Sequence, residues 1–98
     1  MRARRILDAK TVLTDGRIIQ RTVWQLPRPT ADRPHGLKFR LYCGKGGQTI
    51  VRYDNESGKG AHRHVGPEEV ESTYEFISLT QLLQDFFADV EELSGVVQ

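Results

Sequence analysis

The chain has 98 residues, 28% of them charged and 38% hydrophobic, with a net charge of +1. That length supports one domain, residues 1–98, with one modest core, and the composition suits a soluble globular fold rather than a disordered one. No apolar run approaches the roughly 18 residues of a membrane span, no apolar segment follows the basic start as in a signal peptide, and the lone Cys43 has no internal disulfide partner, so the expected setting is cytoplasmic, away from any membrane.

Residues 3–13 are rich in Ile, Leu, Val and Thr and read as a first strand. Asp15-Gly16 follows, a strong signal for a two-residue hairpin, because such turns need the positive φ that Asp and Gly tolerate. Arg17 to Leu26 reads as a second strand. Ile19 and Val23 share one phase and Ile18, Trp24 and Leu26 the other, so it is covered on parts of both faces or carries a bulge. Pro27, Pro29 and Pro34 then stop pairing, since each lacks an amide donor.

Leu37 to Cys43 alternates most cleanly. Leu37, Phe39, Leu41 and Cys43 point one way and Lys38, Arg40 and Tyr42 the other, which predicts a half-buried strand with a basic, aromatic outer face. In that phase Cys43 reads as a buried structural thiol. Gly44 to Gly47 turns the chain and Gln48 to Asp54 returns as a fourth strand, its phase left open by Ile50. Ala61 to Val65 is a short strand candidate, Glu68 to Glu71 an acidic connector, and Ser72 to Ile77 a last strand. Ser78 and Gln81 match a capping box. Leu79, Leu82, Leu83, Phe86, Phe87, Val90 and Leu93 then recur at helical spacing, with Gly95 as the expected stop. The fold predicted is α+β: a mainly antiparallel, twisted sheet of about five strands with one C-terminal amphipathic helix on a face.

All 14 Lys and Arg lie in residues 1–66 with five acids, whereas residues 67–98 hold eight acids and no base. A basic body of this kind attracts polyanions by counterion release; alternatively the acidic tail folds back and neutralises it. The densest chemistry lies between Arg52 and His64. On a strand His62 and His64 project to the same side, roughly 7 Å apart, with Arg63 facing away. Imidazoles titrate near neutrality, so the pair could share proton transfer in metal-independent cleavage of a phosphodiester, with Asp54 orienting a base. Arg52, Lys59 and Arg63 could hold the phosphate. A second reading is binding without chemistry, in which Lys38, Arg40, Arg52, Lys59 and Arg63 neutralise phosphates while Tyr42 or Tyr53 stacks on bases. In a third, purely structural reading, the histidines satisfy backbone groups or the acidic helix. A His-x-His metal site with Asp54 or Glu56 lacks a further His or Cys at useful spacing, so neither metal nor cofactor is expected.

The segments Asp15-Gly16, Val23-Trp24-Gln25-Leu26-Pro27, Lys38-Phe39-Arg40-Leu41, Arg52-Tyr53-Asp54-Asn55-Glu56, Gly58-Lys59-Gly60 and His62-Arg63-His64 occur in that order before a Phe-rich helix. Together they resemble the TumE-like toxins of bacterial toxin–antitoxin pairs, over nearly the whole chain. In that family pattern an Asp often precedes the first His, and Ala61 stands there in this sequence. The resemblance implies a small cytoplasmic toxin, an antitoxin partner that commonly carries a helix-turn-helix domain, and nucleic acid, RNA or DNA, as target. It leaves a homodimer open. The candidate catalytic residues are His62, His64 and Asp54; the candidate nucleic-acid-binding residues are Lys38, Arg40, Arg52, Lys59 and Arg63.

Overall fold

Each strand pairs with the next one in the chain. The computed structural model describes residues 2–55 and 60–96. Strands β1 (Arg4–Val12), β2 (Ile18–Gln25), β3 (Leu37–Lys45), β4 (Gln48–Asp54), β5 (His62–Val65) and β6 (Val70–Thr73) pair antiparallel in sequential order, and helix α1 (Leu79–Val96) follows. The fold is the α+β arrangement expected, with six strands instead of about five.

The differences have local causes. The first hairpin closes at Leu13 and Arg17, whose N–H···O bond of 2.8 Å brackets a three-residue loop. Gly16 takes φ 94° there, and the Asp15 carboxylate accepts from the Arg17 amide at 3.0 Å. That backbone bond, ahead of the guanidinium, holds the Asp15 carboxyl below its ordinary range. The bulge lies in β1, between Arg5 and Leu7, and not in β2. The last strand begins at Val70, earlier than its sequence pattern predicts, because residues 66–69 form a tight turn, with Glu69 N–H donating to the Gly66 carbonyl at 2.9 Å. α1 runs through Gly95 to Val96. At its start the Ser78 hydroxyl accepts from the Gln81 amide at 3.0 Å, but the Gln81 side chain donates to Asp85 at 2.7 Å, so only half of the capping box forms.

One face of the sheet carries the core. Val23, Phe39, Leu41, Cys43 and Val51 are fully buried there against Leu82 and Phe86 of α1, each large apolar side chain contributing roughly 1.5–3 kcal/mol. The β4 phase is resolved by a bulge: Cys43 pairs with Val51 and Gly44 with Thr49, so Ile50 is the extra residue and is buried too. Burial raises the Cys43 thiol pKa, in keeping with a structural role. The acids of α1 fasten the helix down. Asp89 accepts from the Tyr53 hydroxyl and from Arg63 Nε and Nη2 at 2.7 and 3.1 Å, and Asp85 accepts from the Tyr74 hydroxyl. Part of the acidic tail therefore neutralises the basic body, on the helix side.

Candidate functional site

The pairing register sorts the candidate residues between two faces. Asp54 pairs with His62 and Arg52 with His64, while Arg40 pairs with Asp54 and Tyr42 with Arg52. Side chains alternate along a strand, so Arg40, Tyr42, Arg52, Asp54, His62 and His64 share the face turned away from α1, termed here the outer face. Lys38 joins them by phase, opposite Trp24 of β2.

His62 is half-buried at the end of β5. Its Nδ1 lies 3.1 Å from the Gly60 carbonyl. A carbonyl oxygen only accepts, so Nδ1 carries the hydrogen, and Nε2 of the neutral ring is left as an acceptor. His64 is different: it is 7% exposed, with Nε2 at 3.8 Å from Asp54 and 3.7 Å from Glu71. Arg52 lies between two carboxylates, Nε at 2.8 Å from Asp54 and Nη1 at 3.1 Å from Glu69. Glu69 also accepts from the Thr49 hydroxyl at 2.7 Å and holds φ 51°, a left-handed backbone unusual for a residue other than glycine. Thr49, Glu69, Arg52, Asp54, His64 and Glu71 form a chain of polar contacts across three strands. Within it Arg52 is already neutralised, and its role is to tie β4 to the β5–β6 turn.

The other half of the outer face is basic and aromatic. The Lys38 ammonium stands 5.1 Å from the centre of the Trp24 ring, and the Arg40 guanidinium 5.5 Å from the centre of the Tyr42 ring. Tyr42 lies along its own strand over Gly44, where an added Cβ would fall 2.0 Å from the Tyr42 hydroxyl oxygen and 2.8 Å from the Gln48 carbonyl oxygen. Glycine there lets the ring lie down on the sheet.

Two of the residues named from sequence stand apart from this set. Arg63 faces α1, bound to Asp89, and that bond is the main reason its guanidinium pKa is raised. Tyr53 is 3% exposed on the same side, its hydroxyl pKa raised by burial and then by Asp89. Lys59, like Glu56 of the metal alternative, lies outside the described residues. Among the described residues no group of three or more His, Cys, Asp or Glu side chains is placed to hold a metal ion. A groove of about 480 Å³, lined by Lys45, Ile50, Val65 and Leu93 among others, contains neither imidazole.

Sequence reasoning missed Trp24, Glu69 and Asn55. Trp24 sits in the outer phase of β2, and only the register places it beside Lys38. Glu69 belongs to a segment that reads as connector. Asn55 reads as turn, yet it is 1% exposed. Its Oδ1 accepts from the Phe39 amide and its Nδ2 donates to the Leu37 carbonyl, both at 2.9 Å, while its own carbonyl accepts from Arg33 Nε and Nη2 at 3.0 and 2.8 Å. It pins the chain as it leaves β4 beside Asp54.

A protein-family model described as Toxin TumE matches residues 2–94. No curated protein and no solved structure matches the chain.

Proposed function

We propose, from the premise that the chain belongs to the TumE toxin family, that it acts by engaging nucleic acid on the outer face of its sheet. The observation that carries this reading is the placement of both imidazoles on the helix-free face with Lys38, Arg40, Trp24 and Tyr42. Lys38 and Arg40 neutralise phosphates. The two rings offer stacking surfaces to unpaired bases, which any base sequence can use. His62 stands at the end of that strip with Nε2 as acceptor. It takes the proton from the hydroxyl that attacks a phosphodiester; the new P–O bond replaces the one to the leaving oxygen, which takes a proton from water, in a cleavage that needs no metal ion. Asp54 opposite it, and His64 behind, are positioning residues. Arg52 acts through Asp54 and not on phosphate.

The family also points to an antitoxin partner. We take it to carry a helix-turn-helix domain and the pair to work in the cytoplasm; among the described residues no helix is long and apolar enough to cross a membrane.

Induced expression tests the reading. Wild type arrests growth and fragments bulk RNA or DNA; His62→Ala binds within about tenfold of wild type but yields no fragments, a loss in rate of about 10²–10⁴. The second reading is binding without cleavage. It is favoured by the burial of His64, which leaves His62 as the more open imidazole. Under it His62→Ala arrests growth as wild type does and intact nucleic acid is recovered from both.

A further inference from the structure

The helix covers only part of the core face. α1 packs over β4, and a helix about 10 Å across covers about a third of a six-stranded sheet with strands roughly 4.8 Å apart. Its two flanks differ. Asp85 and Asp89 point toward β5 and the segment after β6, where they bind Arg63 and Tyr74. The flank carrying Leu83 and Phe87 points the other way, toward β2, where the Arg21 guanidinium lies 5.3 Å from the centre of the Phe87 ring.

Beyond that flank lies the inner face of β1. Leu7, Ala9 and Thr11 pair with Val23, Arg21 and Ile19 and so share their face. Leu7 and Ala9 are half-buried, Thr11 is exposed and Phe87 is 37% exposed. The Nε of Arg21 is shielded from solvent and, among the described residues, has no hydrogen-bond partner. A shielded guanidinium donor left unpaired is costly, and an outward turn of the side chain to an incoming carboxylate would satisfy it.

We propose that this strip, beside α1 and over β1–β2, is where the antitoxin docks an acidic amphipathic helix. The inference rests on the toxin reading above for the existence of the partner. The spacing fits: β2 lies two strands, roughly 10 Å, from β4, which is one helix–helix distance from α1. The apolar side of the incoming helix lies on Leu7, Ala9 and Phe87, and a carboxylate meets Arg21. Charge selects the occupant. By register Arg4 and Arg21 share this inner face, on which β1 and β2 present no carboxylate, whereas Arg5, paired with Asp8 at 3.3 Å, and Lys10 lie in the outer phase, so the strip attracts an anionic segment. A second copy would set cations against cations there, and its own α1 already spends its apolar face on its own core. Docking on this side leaves the outer face free, so neutralisation works through the sheet or by recruiting the antitoxin's other domain, not by covering His62.

The test uses the full chain and its cognate antitoxin, co-expressed and then titrated as purified proteins. Thr11→Glu, at an exposed position, and Arg21→Glu each weaken antitoxin binding at least tenfold, while growth arrest persists and is no longer neutralised; a circular dichroism melt verifies folding. The outer-face Lys38→Ala/Arg40→Ala variant does the reverse, losing arrest and keeping antitoxin affinity. Unchanged antitoxin affinity in both inner-face variants overturns the proposal. So does a dimer of the chain alone that Thr11→Glu dissociates, or loss of antitoxin binding in the outer-face variant. If wild type shows no effect on nucleic acid while the inner-face variants still lose the antitoxin, the nucleic-acid reading fails and the docking site stands.

Discussion

Arg63 and His64 are neighbours in the chain and serve opposite faces of the sheet. The Arg63 guanidinium lies 2.7 Å from Asp89 of the helix, whereas the His64 ring lies between Asp54 and Glu71 on the far side. A strand period of two separates them. The run His62-Arg63-His64, which reads as one cluster of charge, is therefore two imidazoles on the outer face and one anchor on the inner.

That anchor is the first expectation. Asp89→Ala leaves the Arg63 guanidinium and Tyr53 hydroxyl without their shared acceptor in a poorly solvated site. The expected loss is about 2–3 kcal/mol, or roughly 10–20 °C in Tm for a domain of this size. Thermal denaturation measures it. The salt dependence of nucleic-acid binding by Arg63→Met should match wild type, since Arg63 does not face the outer surface.

The Asn55 side chain substitutes for a strand neighbour of β3. Asn55→Asp keeps an acceptor for the Phe39 amide but sets a carboxylate oxygen against the Leu37 carbonyl, so it should destabilise at least as much as Asn55→Ala. Both should cost about 2–4 kcal/mol. Urea unfolding midpoints decide the order.

Much of this was legible in the sequence, and the boundary is instructive. The alternation of Leu37, Phe39, Leu41 and Cys43, the spacing of the helix and the Ser78 cap depend on local rules, and all hold. What was not legible depends on register. Trp24 meets Lys38 only because β2 and β3 align as they do, and Ile50 turns inward only because a bulge sits opposite Cys43 and Gly44. Asn55 and Glu69 look like turn residues because their partners are far away in sequence. The Arg52 charge reads as free for phosphate because Glu69, which pairs with it, lies beyond another strand.

Gly44 gives a third test. A methyl group in Gly44→Ala collides with the Tyr42 hydroxyl and the Gln48 carbonyl. The side chain can swing away but the backbone oxygen must shift, at a cost of about 1–3 kcal/mol. With Tyr42 lifted from the sheet, binding to single-stranded oligonucleotides should fall by about tenfold, the value of one lost stacking partner. Fluorescence anisotropy reads this directly.

His35 makes stability depend on pH. Its Nδ1 accepts from the Leu37 amide at 3.1 Å and its ring lies tilted against Phe76, the centres 4.1 Å apart. Burial, and then the charge of Arg33, hold its pKa below the ordinary 6.5. The folded chain thus keeps the ring neutral while the unfolded chain takes up a proton first. The contribution is fully present above pH 6.5 and is lost as pH falls through the folded pKa. Urea midpoints at about pH 7.5 and about pH 5.5 should differ less in His35→Asn than in wild type.

The central claim is that nucleic acid meets the face opposite the helix. Titrating the isotope-labelled chain with a short single-stranded oligoribonucleotide, and separately with its DNA counterpart, tests this most directly by nuclear magnetic resonance. The account predicts that the Trp24 indole, the Tyr42 ring and the His62 imidazole signals move with at least one of the two, while those of Arg63, Tyr53 and Phe86 stay in place. Movement confined to the helix side, or none with either strand at low salt, would contradict it.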